Sequence, residues 1–173
     1  HRLLRVIDSL GAEELLRFCP VPVIAVGTAA PTARIRSILL PLDGSSRSEF
    51  VLRPVIELAR AHRSRVQLLA VLPIRHPRDQ AAESLAEVQA ALAARRIPSE
   101  VAFRAGAPAK AILAQAAEER ADLIAMSTHG HGEDARLACG HVADEVLHRS
   151  PLPVLLQRSA GVEAVPHALL LVR

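Results

Sequence analysis

Asp122-Leu123-Ile124-Ala125-Met126-Ser127-Thr128-His129-Gly130 is an apolar run that opens into a polar, glycine-bearing segment. Gly140-His141-Val142 then leads into a helical pattern, Ala143 to Arg149. A buried strand, a glycine loop and a helix N-terminus in succession form an anion site. Unsatisfied N–H groups and the helix dipole both favour negative charge there. Such a unit belongs to a chain in which strands and helices alternate, so the flanking sequence is read for that alternation.

Upstream, Ile35 to Leu42 is strand-like and ends in Pro41-Leu42-Asp43-Gly44-Ser45. Ser45 or Ser46 is placed to cap the following helix, whose apolar positions Leu52, Val55, Ile56 and Ala59 have helical spacing. Val66 to Leu72 is apolar apart from Gln67, which marks a strand covered on both faces. Arg78 to Arg96 is helical through Ala81, Leu85, Val88 and Leu92, and Pro98 is expected to stop it. Ser99 to Ala105 alternates as a strand nearer the sheet edge. Pro108 opens a helix through Ile112, Leu113 and Ala116. Leu123 to Met126 is the fourth strand, and Val154-Leu155-Leu156, after the helix 141–149, is the fifth.

This order predicts an α/β fold: a five-stranded parallel sheet with helices on both faces. Right-handed crossovers favour the flavodoxin-like strand order 3-2-1-4-5. The order reverses between the first and fourth strands, whose C-terminal ends carry Asp43 and Ser127. Ligands of open α/β sheets bind at such a reversal. The phosphate-type loop therefore falls where the topology favours a site.

Half the residues are hydrophobic, but only 2% are aromatic, with no Trp or Tyr. The core is built from Leu, Val, Ile and Ala, and stacking platforms for single-stranded nucleic acid are missing. Of 21 basic residues all but Lys110 are arginine, scattered along the chain. No sequence cluster marks a nucleic-acid patch, so none is expected as a partner. No apolar run reaches the ~20 residues of a membrane span, and there is no signal-peptide layout. Cys19 and Cys139 suggest no disulfide framework. A cytoplasmic protein without membrane contact is expected.

The segment before the first strand recurs later. Ala12-Glu13-Glu14-Leu15-Leu16 corresponds to Ala143-Asp144-Glu145-Val146-Leu147, and Pro20-Val21-Pro22-Val23 to Pro151-Leu152-Pro153-Val154, at one common offset. A helix bearing Leu10, Leu15 and Leu16, then a strand Val23-Ile24-Ala25-Val26, make residues 1–27 the helix–strand remnant of an upstream domain of the same kind. Residues 28–34 are expected to be a linker, 35–158 one domain and 159–173 a C-terminal extension. The apolar Ala168-Leu169-Leu170-Leu171-Val172 is either an extra strand or a partner contact.

Ile38-Leu39-Leu40-Pro41-Leu42-Asp43-Gly44-Ser45, Met126-Ser127-Thr128-His129-Gly130, Gly140 ten residues on, and Ser150-Pro151-Leu152-Pro153-Val154 together resemble the universal stress protein family. The resemblance covers residues 35–158 and implies a tandem protein, the remnant being its first domain. Members of the family that bind ATP, with Mg²⁺, carry a Gly-x2-Gly-x9-Gly-Ser/Thr pattern. Gly130 and Gly140 match its second and third glycines. Ser127 stands at the first glycine and His141 at the Ser/Thr.

By this resemblance Asp43 meets the ribose, Val71 the adenine and the N–H of Val142 a phosphate. Pro41, Met126, Ser127, Gly130, Gly140 and His141 complete the cofactor-binding set. Ser127 adds a side chain where backbone approaches the ligand, His141 replaces a compact hydroxyl by a ring, and Glu133 and Asp134 add negative charge. The expectation is a stress-response module with a degenerate adenine-nucleotide site, acting without catalysis; the alternative is a working ATP site. The resemblance also implies pairing through the fifth strand, whose edge at Val154–Leu156 needs a partner. Residues 23–26 are the candidate, within the chain or across a homodimer.

Other chemistries rank lower. Gly130 to Ala135 fits a dinucleotide fingerprint only formally, since it follows the fourth strand and lacks an acidic ribose ligand downstream. His129, His131, Glu133, Asp134, Cys139 and His141 make a metal-binding loop a remote alternative, but their spacing matches no zinc motif. Ser45, Ser46 and Ser127 have no nucleophile elbow.

Overall fold

Ile38, Leu39, Leu40, Leu123 and Ile124 are fully buried at the centre of the molecule. Each contributes roughly 1.5 to 3 kcal/mol by leaving water. The computed structural model of the chain describes residues 22–26, 34–45, 48–72, 78–128, 140–158 and 170–172. Its strands are β1 (Val23–Ala25), β2 (Ser37–Pro41), β3 (Arg65–Leu72), β4 (Ser99–Ala105), β5 (Leu123–Ser127), β6 (Val154–Gln157) and β7 (Leu170–Val172). Its helices are α1 (Leu52–His62), entered through a 3-10 turn Ser48–Val51, α2 (Arg78–Ala93), α3 (Pro108–Glu118) and α4 (His141–Arg149).

The expected α/β fold is present, but the sheet is larger than expected. Among the described residues it has seven strands in the order β4-β3-β2-β5-β6-β1-β7. The first five of that order are parallel neighbours in the predicted sequence. The purely parallel five-stranded sheet is corrected at the other end. There β1 lies antiparallel on β6, with Ile24 opposite Leu155, and β7 lies parallel on β1, with Ile24 opposite Leu171. Of the two readings of the apolar C-terminal stretch, the extra strand is the one seen over the described residues Leu170–Val172. The helix predicted around Leu10 to Leu16 lies outside the described residues.

Side chains alternate along each strand and so divide the core in two. Ile38, Leu40, Leu68 and Leu155 pack with Val55 and Leu58 of α1 and Leu85, Val88 and Leu92 of α2. Leu39, Leu69, Ile124, Met126 and Leu156 pack on the other face with Ile112 and Ala116 of α3 and Ala143 and Val146 of α4. Gln67, the polar residue within an apolar strand, is buried with a partner, as a buried amide must be. It accepts from Gln115 Nε2 at 3.0 Å, and Gln115 Oε1 accepts from Arg104 Nε at 2.5 Å. Arg104 also pairs with Glu118. This chain of bonds ties α3 to β3 and β4.

Helix ends depart from expectation in two ways. Ser45 does not cap α1: the N-cap is Val51, with no side-chain cap bond, because the 3-10 turn comes between them. Ser46 lies outside the described residues. Helix α2 stops at Ala93 rather than running to Arg96, so Pro98 is not what ends it. Arg96 takes φ 58°, and Ile97 N–H reaches back to Leu92 O at 3.1 Å, closing the helix before the proline. The same closure ends α1, with Arg63 at φ 56° and Ser64 N–H on Ala59 O at 2.9 Å. It also ends α3, with Arg120 at φ 50° and Ala121 N–H on Ala116 O at 2.9 Å. A left-handed residue with a six-to-one bond after it is a Schellman cap. The left-handed position favours glycine, and a side chain there costs about 1 kcal/mol.

Candidate functional site

Strands β2 and β5 are neighbours, yet they pair only as Ile38↔Leu123 and Leu39↔Ile124. Beyond that point each stays with its outer neighbour. β2 remains on β3 through Pro41↔Leu69, and Leu42 N–H still bonds Leu69 O at 2.8 Å. β5 remains on β6 through Ser127↔Gln157, and Thr128 N–H bonds Gln157 O at 2.9 Å. The two strands are no longer paired beyond that point, and the reversal of strand order places a ligand crevice between their C-terminal ends.

Pro41 explains part of this opening. Backbone groups alternate sides along a strand. Leu42 N–H points to β3, so the nitrogen of Pro41 points to β5. Proline has no N–H to give. The position that would extend the β2–β5 ladder is therefore the one without a donor. On β5 the same alternation turns the N–H of Ser127 toward β2, since Ile124 and Thr128 both bond toward β6.

Asp43 stands just past the end of β2, exposed at the mouth of the crevice. Its Oδ1 accepts from Ser45 N–H at 3.0 Å and from Ser45 Oγ at 2.6 Å. This Asx turn, with Gly44 at φ 77°, sets the direction of the carboxylate before any ligand arrives. The role of Ser45 as the holder of Asp43 was missed in favour of a helix cap. The Asp-x-Ser spacing was the signal for it.

Val71 and Met126 belong to the sheet face covered by α3 and α4, Met126 buried and Val71 half-buried against the same cluster. Helix α4 begins on that face too, through Ala143 and Val146. Its N-cap is Gly140 at φ 71° and ψ 153°, with no side-chain cap bond. That conformation is essentially restricted to glycine. The first intrahelical bond is Asp144 N–H to Gly140 O at 2.9 Å, so the N–H groups of Val142 and Ala143 have no acceptor within the helix. His141 and Val142 are exposed on this first turn, and Asp144 places a negative charge in it.

The structure thus brings together Pro41, Asp43, Val71, Met126, Ser127, Gly140, His141 and Val142 along the C-terminal edge of β3, β2 and β5 and the start of α4. Gly130 lies outside the described residues, as do the dinucleotide-like Gly130–Ala135 segment and the candidate ligands His129, His131, Glu133, Asp134 and Cys139. Among the described residues there is no group of three or more His, Cys, Asp or Glu that could hold a metal. No described helix is long and apolar enough to cross a membrane. A cavity of about 190 Å³ lies near the opposite edge, lined by Leu113, Ile124 and Leu152 among others, away from these residues.

Residues 34–158 match the model of the universal stress protein family. A universal stress protein of Thermus aquaticus is 33% identical over 135 residues, covering 71% of this chain and 98% of that protein. A universal stress protein solved in complex with cAMP superposes with a TM-score of 0.64 at 24% identity, covering 74% of this chain and all of the other. One from Archaeoglobus fulgidus in complex with dAMP superposes with a TM-score of 0.58 at 22% identity, covering 70% of this chain and 96% of the other. The likeness to the two solved structures is one of fold. The family match over most of the chain, on a sheet that splits where the motif residues meet, shows that the chain belongs to the universal stress protein family.

Proposed function

We propose that the crevice between β2 and β5 binds an adenine mononucleotide without turning it over, and that it has lost the capacity for a full triphosphate. The observation that carries this is the parting of β2 and β5 beyond Leu39 and Ile124. It opens space between Asp43, held by Ser45, and the first turn of α4. In this reading the base rests on Val71 and Met126, a ribose hydroxyl donates to Asp43, and one phosphate takes the N–H groups at the start of α4. The gain is a charge-assisted hydrogen bond at each end and apolar burial between them.

The departures from the ATP pattern set the limit. His141 puts a ring at the first helical position, and Asp144 adds a negative charge within the first turn, which disfavours further phosphates. Lengthening the phosphate chain, with or without Mg²⁺, therefore adds repulsion faster than contacts. The complexes of two relatives with cAMP and dAMP support a ligand with one phosphate. In this reading the site serves a responsive module of the stress response rather than an enzyme, with the Asp43 carboxylate held by Ser45 as an acceptor for the ligand. For assembly through the fifth strand, the register of β1 on β6 favours pairing within the chain, the tandem-type arrangement, over a homodimer through that edge.

Calorimetric titration with AMP, cAMP and ATP–Mg²⁺ tests the proposal. AMP or cAMP is expected to bind at least about tenfold more tightly than ATP, a difference of roughly 1.4 kcal/mol. Chromatography of the titrated sample should return the nucleotide unchanged. Tighter binding of ATP, or no heat with any of the three at millimolar concentration, would sink it.

A further inference from the structure

The arginines that are scattered in sequence are gathered by the fold. Strands β2 to β6 are all parallel, so their N-terminal ends share one edge, opposite the crevice. The segments entering them are bonded to one another. Arg65 N–H donates to Arg36 O at 2.9 Å, Ser64 Oγ to Ile35 O at 2.6 Å and Val66 N–H to Pro98 O at 2.9 Å. Asp122 Oδ2 accepts from the N–H groups of Arg36 and Ser37 at 2.8 and 3.0 Å. Arg34, Arg36, Arg63, Arg65, Arg96 and Arg120 are all exposed along this edge. Among the described residues only Arg65 of the six has a carboxylate within ion-pair distance of its guanidinium, Glu119 at 3.9 Å.

Helix dipoles account for part of this charge. Four helices end at the edge, supplying roughly two negative charges between them. Among the described residues Glu100, Glu119 and Asp122 supply three more, and six arginines exceed that total. The second observation is conformational. The only non-glycine residues with positive φ among the described residues are Arg63, Arg96 and Arg120. Each occupies the left-handed position of a Schellman cap, where glycine is the favoured residue. A dipole is served equally well by arginine one turn earlier in relaxed backbone, as Arg60 and Arg149 do. Three strained positions filled by the same cation at one edge point to a function for the charge.

We infer that this edge binds the phosphate backbone of a nucleic-acid duplex, without reading its sequence. Guanidinium forks match phosphate oxygens. The five strands span roughly 20 Å at ~4.8 Å spacing, over which a duplex offers roughly a dozen phosphates. The two exposed large hydrophobic residues among those described, Phe50 and Val142, follow β2 and β5 and so lie toward the crevice. Among the described residues the arginine edge thus lacks the aromatic anchors of a protein interface, the apolar wedge of a membrane-surface element and the stacking rings of a single-strand binder. The sequence-level expectation of no nucleic-acid partner rested on scatter along the chain, and the parallel sheet removes that scatter.

The test uses the full chain, a fluorescent mixed-sequence duplex, and the triple variant Arg63→Gly, Arg96→Gly, Arg120→Gly. Anisotropy should show binding at 50 mM salt that weakens steeply with salt, with a log–log slope of about −3 to −5. The triple variant should bind roughly 30- to 300-fold more weakly, with a slope shallower by about 2 to 3. Its thermal midpoint should be equal or higher, because glycine relieves the left-handed strain. Arg53→Gln, on the exposed side of α1, should leave binding unchanged. Equal duplex binding by the triple variant, a slope near zero, or a lowered midpoint that marks the arginines as structural would overturn the inference. So would binding of an acidic peptide or anionic vesicles where the duplex fails.

Discussion

The two edges of the parallel sheet use the same backbone in opposite ways. At the C-terminal edge the chain relaxes its own pairing: β2 and β5 part, Gly44 and Gly140 take conformations that suit glycine, and α4 is left without a side-chain cap. At the N-terminal edge the described connections into β2, β3, β4 and β5 are tied down, by Ser64, Asp122 and three Schellman closures, and glycine is avoided where it would be easiest. One edge spends backbone freedom on space; the other accepts backbone strain to keep charge. A site for a small ligand needs the first, and a surface for an extended polyanion needs the second.

The largest expected effect removes what both edges share. Ile124→Ala hollows the buried contact where β2 and β5 last pair, and should cost about 2 to 5 kcal/mol. Urea denaturation would read it, and both edges should lose binding together once the sheet loosens. Asp43→Asn addresses the C-terminal edge alone. The amide oxygen can still accept from Ser45, so folding stability should change by less than about 1 kcal/mol. Adenine-nucleotide affinity should fall roughly 10- to 100-fold with the loss of a charged acceptor, measured by calorimetry. Duplex binding should be unaffected, and a parallel fall in both would break the division between the edges.

Gly140→Ala should cost about 1 to 3 kcal/mol, since φ 71° and ψ 153° are closed to a residue with Cβ. Thermal unfolding with and without AMP would separate the loss of stability from the loss of ligand. The smallest effect has the opposite sign. Arg63→Gly should stabilise the fold by up to about 1 kcal/mol. If Gly140→Ala were neutral and Arg63→Gly destabilising, the contrast between a permissive edge and a strained one would be wrong.

The alternation of strands and helices was legible because it is a local property. Apolar runs such as Leu123–Met126 and stripes such as Leu85, Val88 and Leu92 carry their own periodicity. General rules of handedness then suffice to order five parallel strands. The positions of Asp43, Ser127 and Gly140 followed from that order and from the family spacing. The boundaries were less legible. Pro98 is a visible breaker, but α2 had already closed through Arg96, a residue whose type gives no hint of a left-handed turn. Ser45 looks like any N-cap until the 3-10 turn separates it from α1.

Fold class, the two-sided core and the expected place of the crevice could be read along the chain, because hydrophobic period and motif spacing act over a few residues at a time. The folded chain settled that β1 and β7 complete the sheet, since the pairing of β1 with β6 and with β7 is a matter of long-range register. It also decided that β2 and β5 separate at Pro41, and that arginines as far apart as Arg34 and Arg120 share an edge. Parallel connections carry the chain back to the same side of the sheet after every helix. Residues far apart along the chain therefore meet there for a reason that no local window contains.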